Sequence, residues 1–238
     1  MPQNALETVK VHRLYLDIAS QIERQIRQGD IEPGTRLPSE RDLAVSFGVS
    51  RPTIREAMIA LEIAELVEIR TGSGIYALTP STNIANANAA VEDVPGPFEI
   101  LEARLIIEAE CSALAAARIT DTKIADLERA VSIMASGSSS DNEKERADQL
   151  FHCTIAEATN NSALLSSVKW LWDMRNRSEI SLLFHQRVRD LGVHPSVEEH
   201  KKILSALKAR DPGRARNAMQ THISNAIDQD VSVLELES

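Results

Sequence analysis

The sequence predicts a mainly α-helical chain in two parts: three short helices closed by a β-hairpin, then an all-helical bundle of about six helices. Three observations carry this reading. Apolar residues recur every three or four positions over most of the chain. Strict alternation is confined to residues 67–78. Aromatic residues are only 3% of the 238, which suits helical cores of Leu, Ile and Ala better than a β-sandwich.

Each element has its own signal. Val11, Leu14, Ile18, Ile22 and Ile26 form one apolar helix face, ended by Gly29 and the Pro33-Gly34 pair. Ser39 with Asp42 caps a short second helix, with Leu43, Ala44 and Phe47 inward and Gly48 at its end. Ser50 caps the third helix, and Pro52 is tolerated in its first turn, where no N–H is needed. Ile54, Ala57, Met58 and Leu61 then recur at helical spacing. Val67 and Ile69 alternate with polar residues, Thr71-Gly72-Ser73-Gly74 turns the chain, and Ile75–Leu78 returns as a hairpin. Residues 80–97, with STNIANANAA and EDVPGP, read as a linker. This divides the chain into 1–79, a linker at 80–97 and a helical unit at 98–235.

After the linker the period is helical throughout. Phe98, Leu101, Leu105 and Ala109 share a face that continues to Ala113 and Ala116. Leu127, Val131 and Met134 mark a second helix, ended by the Gly-Ser run at 136–140. Leu150, Phe151, Ile155 and Ala158 mark a third, closed near Asn160-Asn161. A long pattern from Ser162 includes Trp170 and Trp172, and two more helices start near Pro195 and Pro212. A bundle of about six helices follows from this pattern.

Charge and composition limit the function. Lys and Arg total 26 against 35 Asp and Glu, a net charge of −9, which argues against a protein that coats nucleic acid without specificity. Residues 1–80 hold nine basic and eleven acidic groups, so any DNA binding must rest on a focused Arg patch and weaken steeply with salt. No apolar run reaches the roughly 18–20 residues of a membrane span, and the first residues lack a signal-peptide core. Cys111 and Cys153 sit in helical patterns and read as small buried apolar residues in a reducing cytoplasm.

Two helices joined by a tight Gly turn and followed by a hairpin make the layout of a winged helix-turn-helix. The N-terminal residues of the second helix in such a unit reach base edges in the major groove. Here they are Ser50-Arg51-Pro52-Thr53-Ile54-Arg55. Arg51 and Arg55 are i, i+4 neighbours that can project from one face, and Arg pairs bidentately with guanine. The plainer reading is that both solvate an exposed face, which Glu56, Glu62 and Glu65 would allow. A slim glycine hairpin tip with Arg70 behind it favours a wing.

PGTRLPSERDLAVSFGVSRPTIREAMIALE and LVEIRTGSGIYAL resemble the GntR family of bacterial transcription regulators over nearly all of residues 11–78. The resemblance implies DNA contact by Arg41, Arg51 and Arg55, help from Ser50 and Thr53, and a wing tip at Gly72. One departure stands out: the turn before LVEIR usually carries Gly, and here it is Glu65, at a possible left-handed helix exit.

His152, His200 and His222 occupy positions where helical spacing would otherwise place apolar residues, and Asp148 stands one turn before His152. Any one of these alone reads better as a hydrogen-bonded core histidine. Together they suit a divalent ion, Zn²⁺, Ni²⁺ or Mn²⁺, with positions open to an outside oxygen ligand. Cys153 points about 100° away from His152 and is set aside as a ligand. His12, His185 and His194 stay unassigned, and Asn161 reads as a helix-terminus residue.

ADQLFHCTIAEATNN, EEHKKILSALKARD and AMQTHISNAI resemble the ligand-sensing helical domain of the FadR-type branch of that family. Its metal-binding members use a D-x3-H pair and two later histidines, which implies Asp148, His152, His200 and His222 here. The fatty-acyl-CoA sensing member lacks this set. GPFEILEARLIIE and FHCTIAEATNNSAL are similar to hexuronate-utilisation repressors of the branch, which implies a sugar-acid effector. Arg104 and Arg175, spaced with Leu101 and Trp172, are the candidate partners of its carboxylate, against the alternative of surface arginines with snorkelling stems.

The expectation is a homodimeric repressor, not an enzyme, that reads a palindromic operator. A small carboxylate bound at the metal would release it, with the linker and first bundle helix as the covalent route. The rivals are a structural metal with the acid bound elsewhere, and a metal-dependent hydrolase with the same ligands activating water.

Overall fold

A computed structural model describes residues 13–70, 72–80, 94–190 and 196–235. The chain forms two compact units, Met1–Asp93 and Val94–Ser238.

In the first unit, α1 (Leu14–Gln28) buries Tyr15, Ile18, Ala19, Ile22 and Ile26. Leu14, expected inside, is 54% exposed. Tyr15 takes its place, because both neighbour Ile18 on the helix and the larger ring removes more apolar area from water. Val11 lies outside the described residues. Helix α2 (Glu40–Phe47) opens where Ser39 accepts the Asp42 N–H at 3.2 Å. Helix α3 (Arg51–Ile63) is capped by Ser50 and buries every residue from Ile54 to Leu61, packing on α1 and α2. A helix buried on all sides needs neighbours on several sides, and α3 has them.

Strands β1 (Val67–Arg70) and β2 (Gly74–Ala77) pair antiparallel with Val67 opposite Ala77 and Arg70 opposite Gly74. The segment before α2 extends this hairpin: Leu37 N–H donates to Ile75 at 2.8 Å and Ala77 N–H to Thr35 at 2.9 Å. Gly74 is required there, since a Cβ would lie 2.5 Å from Arg36 Nε and φ is +115°.

The second unit is all helical among the described residues: α4 (Pro97–Arg118), α5 (Asp121–Ala135), α6 (Asp141–Ala158), α7 (Ser162–Arg177), α8 (Glu179–Asp190), α9 (Val197–Lys208) and α10 (Pro212–Glu235). These are seven helices where about six were expected. Extended backbone at Ser178 (ψ 126°) splits the long pattern from Ser162 into α7 and α8. The core forms where α4 meets α10, α6 and α7, and where α9 packs on α10. Phe151, Ile155 and Trp172 are buried as expected, but Leu150 is 53% and Trp170 51% exposed. Phe151 next to Leu150, and Leu171 and Trp172 just after Trp170, hold the inward positions. Both cysteines are free; Cys111 is buried as expected but Cys153 only half-buried, and burial pushes each thiol up to about 11, which disfavours the thiolate. Among the described residues no helix is long and apolar enough to cross a membrane.

Glu65 does adopt the left-handed conformation its position suggested, with φ 55°, while Leu66 N–H closes the helix end on Leu61 at 2.9 Å. A side chain there costs about 1 kcal/mol that glycine does not. Glu65→Gly is therefore expected to raise the midpoint for heat unfolding of the first unit by roughly 4–8 °C, read by scanning calorimetry.

Candidate functional site

In the first unit, the N-terminus of α3 is built by its cap. Ser50 Oγ accepts the Thr53 N–H at 3.3 Å and lies 2.8 Å from Thr53 Oγ1, which holds both hydroxyls at the helix start. Ser50 and Arg41 are exposed, Arg51 and Thr53 are half-buried, and Gly72 is exposed at the hairpin tip. Arg70 is exposed behind the tip, paired with Glu68 at 2.7 Å and stacked on Tyr76 with its guanidinium 4.4 Å from the ring centre.

Arg55 is a correction. It does not project beside Arg51. Its side chain is 2% exposed and forks onto Glu40, Nε to Oε1 at 3.0 Å and Nη2 to Oε2 at 2.5 Å. A buried guanidinium must have its donors satisfied, and the first-turn carboxylate of α2 does this bidentately. In this arrangement Arg55 clamps α2 to α3, the two helices that set the presentation of Arg41 and Arg51.

The second unit gathers its polar residues inside the bundle. Helix α6 supplies Asp148 and His152, one turn apart. Helix α9 supplies His200 and α10 supplies His222. All four are buried, and one ligand atom from each lies within 4.8 Å of the others. His200 Nε2 is 2.8 Å and His152 Nε2 3.4 Å from Asp148 Oδ1.

The far sides of the rings decide what these atoms can bind. His152 Nδ1 meets Glu108 Oε2 at 2.5 Å, His200 Nδ1 meets the Ser196 carbonyl at 2.9 Å, and His222 Nδ1 meets Glu199 Oε2 at 2.9 Å. Each of these partners only accepts, so each Nδ1 carries the proton and a neutral ring turns its Nε2 lone pair toward the centre. His152 Nε2 is buried with no hydrogen-bond partner. His200 Nε2 and Asp148 Oδ1, 2.8 Å apart, then need either a second proton on the ring or a metal ion between them. The donor set therefore fits a divalent ion bound by nitrogen and oxygen.

Without a metal the electrostatics divide: His222, Glu108 and Asp148 fit neutral rings over charged acceptors, whereas His152 is favoured to hold a second proton. Burial pushes the His222 imidazole down to about 4 against the pull of Glu199, so it stays neutral. Burial opposes charge on Asp148, but its contacts with His152 and His200 hold it well below the usual carboxylate range. Burial likewise opposes charge on Glu108, yet Arg104 and His152 bring it down to about 2. His152 is raised despite burial, because Glu108 and Asp148 flank it.

Arg104 and Arg175 converge on one ring. Their guanidinium carbons lie 4.1 and 5.1 Å from the centre of Trp172, whose ring is 5.4 Å from that of His152. Arg104 is buried and paired with Glu108 at 2.8 Å. Arg175 reaches Glu145 at 3.6 Å, and burial lowers its affinity for the proton. Sequence reasoning missed Glu108 and Glu199. The first had a signal: a charged i, i+4 pair, Arg104 and Glu108, on a face otherwise made of Phe98, Leu101 and Ala109. His185, left unassigned, is buried in this second unit, while His12 and His194 lie outside the described residues.

A winged helix-turn-helix with an arginine-bearing recognition helix, in a chain that also holds a buried polar centre in a helical domain, defines a DNA-binding transcription regulator. Residues 14–77 match the bacterial regulatory proteins of the gntR family, and residues 99–225 match the FCD domain. The chain belongs to the GntR family and carries an FCD domain. It is 34% identical over 216 residues to the Uxu operon regulator of Haemophilus influenzae, covering 90% of this chain and 81% of the relative. It is 36% identical to the Uxu operon transcriptional regulator of Escherichia coli K12 (90% and 85% covered) and 35% to the Exu regulon transcriptional regulator of that strain (92% and 85% covered). These relatives are regulators, which sets aside the hydrolase.

The two roles of arginine in the first unit separate by experiment. Arg41→Ala and Arg51→Ala are expected to weaken operator binding with little change in heat stability, each lowering the slope of log affinity against log salt by about 1. Arg55→Ala leaves Glu40 buried without its partner and is expected to cost about 3 kcal/mol of stability, seen in chemical denaturation of the same variants.

Proposed function

We propose that the chain is a cytoplasmic, homodimeric repressor of sugar-acid catabolism, of the hexuronate type. It would leave its operator when a carboxylate metabolite binds in the helical domain. The observation that carries this reading is the arrangement of three Nδ1-anchored imidazoles and Asp148 beside a tryptophan ring flanked by two arginines. The likeness to Uxu and Exu regulators supports a hexuronate or a related aldonate.

Asp148, His152, His200 and His222 would hold the metal, with zinc the best match to the ligand set and nickel or manganese the alternatives. When bound, the ion supplies a Lewis-acidic position for a carboxylate or hydroxyl oxygen. The protein's own groups do the rest. Glu108, Ser196 and Glu199 fix the tautomers of the three rings. Arg104 and Arg175, held against Trp172, would bring positive charge to the effector's carboxylate. Glu108 keeps Arg104 in place and moderates its charge while no acid is present.

Acid binding acts on DNA only through a difference in affinity. The acid must favour the DNA-free arrangement, and a hundredfold release corresponds to about 2.7 kcal/mol of coupling. Operator DNA and acid then weaken each other by the same factor.

Fluorescence anisotropy of operator DNA at fixed salt tests this. With zinc-loaded protein, glucuronate, galacturonate or fructuronate is expected to weaken binding at least about tenfold, and chelator-treated protein is expected not to respond. If no small sugar acid changes the affinity with metal present, the reading fails. His200→Ala is expected to keep its helix content and operator binding and to lose metal and response. Collapse of the helical signal in circular dichroism would show a structural metal instead.

A further inference from the structure

Among the described residues of the second unit, the buried side-chain N and O atoms without any hydrogen-bond partner are His152 Nε2, Trp172 Nε1, Ser178 Oγ and Ser181 Oγ. The first belongs to the metal centre. The other three lie close together in sequence around the corner between α7 and α8, and they are 0%, 2% and 0% exposed. Buried polar atoms are nearly always paired, so three orphans in one stretch need an explanation.

Ser178 makes the case sharpest. It stands at the N-cap position of α8, and its carbonyl accepts the first helical bond from Leu182 at 2.9 Å. A serine hydroxyl there ordinarily bonds an amide of the first turn. This one does not, and it stays unpaired in the interior. Ser181 follows three residues later, and its hydroxyl also avoids the backbone bond that serines in helices commonly make.

Both ends of the stretch are tied to the acid site. Trp172 and Arg175 start it, and Trp172 touches Arg104 and His152. His185 ends it. Burial keeps its ring neutral, and the charges of Arg175 and Arg104 act in the same direction. Trp172 and Arg175 lie one turn apart on α7, Ser181 and His185 one turn apart on α8, and Ser178 is the corner between them, so the serines stand between two anchors that both sense Arg104 and Arg175.

We infer that Trp172, Ser178 and Ser181 form a hydroxyl-reading strip beside the carboxylate and metal site, selecting a polyhydroxylated acid over a plain one. The inference rests on the acid-sensing reading above. The chemistry matches: an indole N–H only donates, a serine hydroxyl both donates and accepts, and sugar hydroxyls do both. A site with prepositioned buried donors and acceptors discriminates strongly against an analogue that leaves them unpaired.

Calorimetric titration of the zinc-loaded full chain with D-glucuronate and D-galacturonate, against acetate and hexanoate, tests the strip. The sugar acids are expected to bind at least about 100-fold tighter than the plain acids, each hydrogen bond contributing roughly five- to tenfold. In Ser178→Ala/Ser181→Ala that preference falls below about tenfold, and Trp172→Phe, which keeps a ring for the arginines but loses the N–H, reduces it several-fold. Acid-free, the double alanine variant unfolds at or above the wild-type temperature, because it loses two unpaired hydroxyls. Equal binding of plain and sugar acids by the wild type overturns the strip while acid sensing stands. A preference that survives all the substitutions does the same and marks the hydroxyls as water-bound only. Absence of binding by any acid overturns the sensing reading and the strip together.

Discussion

The helical domain depends on how its interior accommodates charge. Asp148 and Glu108 are carboxylates buried among apolar helices, where an unpaired charge is very costly. They persist because every neighbour is of the right kind: Arg104 forks onto Glu108, and the imidazoles of His152 and His200 surround Asp148. The same contacts fix the rings. A carboxylate behind one imidazole and a carbonyl behind another leave each neutral ring a single way to place its proton. The pairing that makes the cluster tolerable in the core thus also aims the lone pairs of three histidines at one point.

The DNA-reading unit solves a related problem on a smaller scale. Arg55 is the charge that cannot reach water, and Glu40 answers it across the turn between α2 and α3. The angle between those helices is then set by a bidentate ion pair as well as by Leu43, Ala44, Ile54 and Ala57 in the core. Arg41 stays exposed at the start of α2 and Arg51 half-buried at the start of α3, in a chain of net charge −9.

Aromatic stacking connects the acid site to its surroundings. Trp172 is fully buried, yet two guanidinium groups lie near its ring. The attraction of a cation for the ring face lets the arginines stay charged in an interior that otherwise disfavours them.

Much of this was legible in the chain itself. Period-3.6 patterning, Ser39, Ser50 and the glycine turns specify the helix-turn-helix and hairpin, because capping and turn chemistry act within a few residues. The D-x3-H pair on α6 was legible for the same local reason, and His200 and His222 stood out as polar residues on apolar faces. The left-handed Glu65 was signalled by the family resemblance, in which that turn usually carries Gly. What tertiary structure decided was every partnership across helices. Glu108 and Glu199 read as ordinary helix acids until α4 meets α6 and α9 meets α10. Arg55 reads as a DNA contact until α2 brings Glu40 to it, and Tyr15 displaces Leu14 only once there is a core to fill. Sequence spacing states which face of a helix a residue occupies, whereas the sign and distance of the charge opposite that face exist only after the helices have packed.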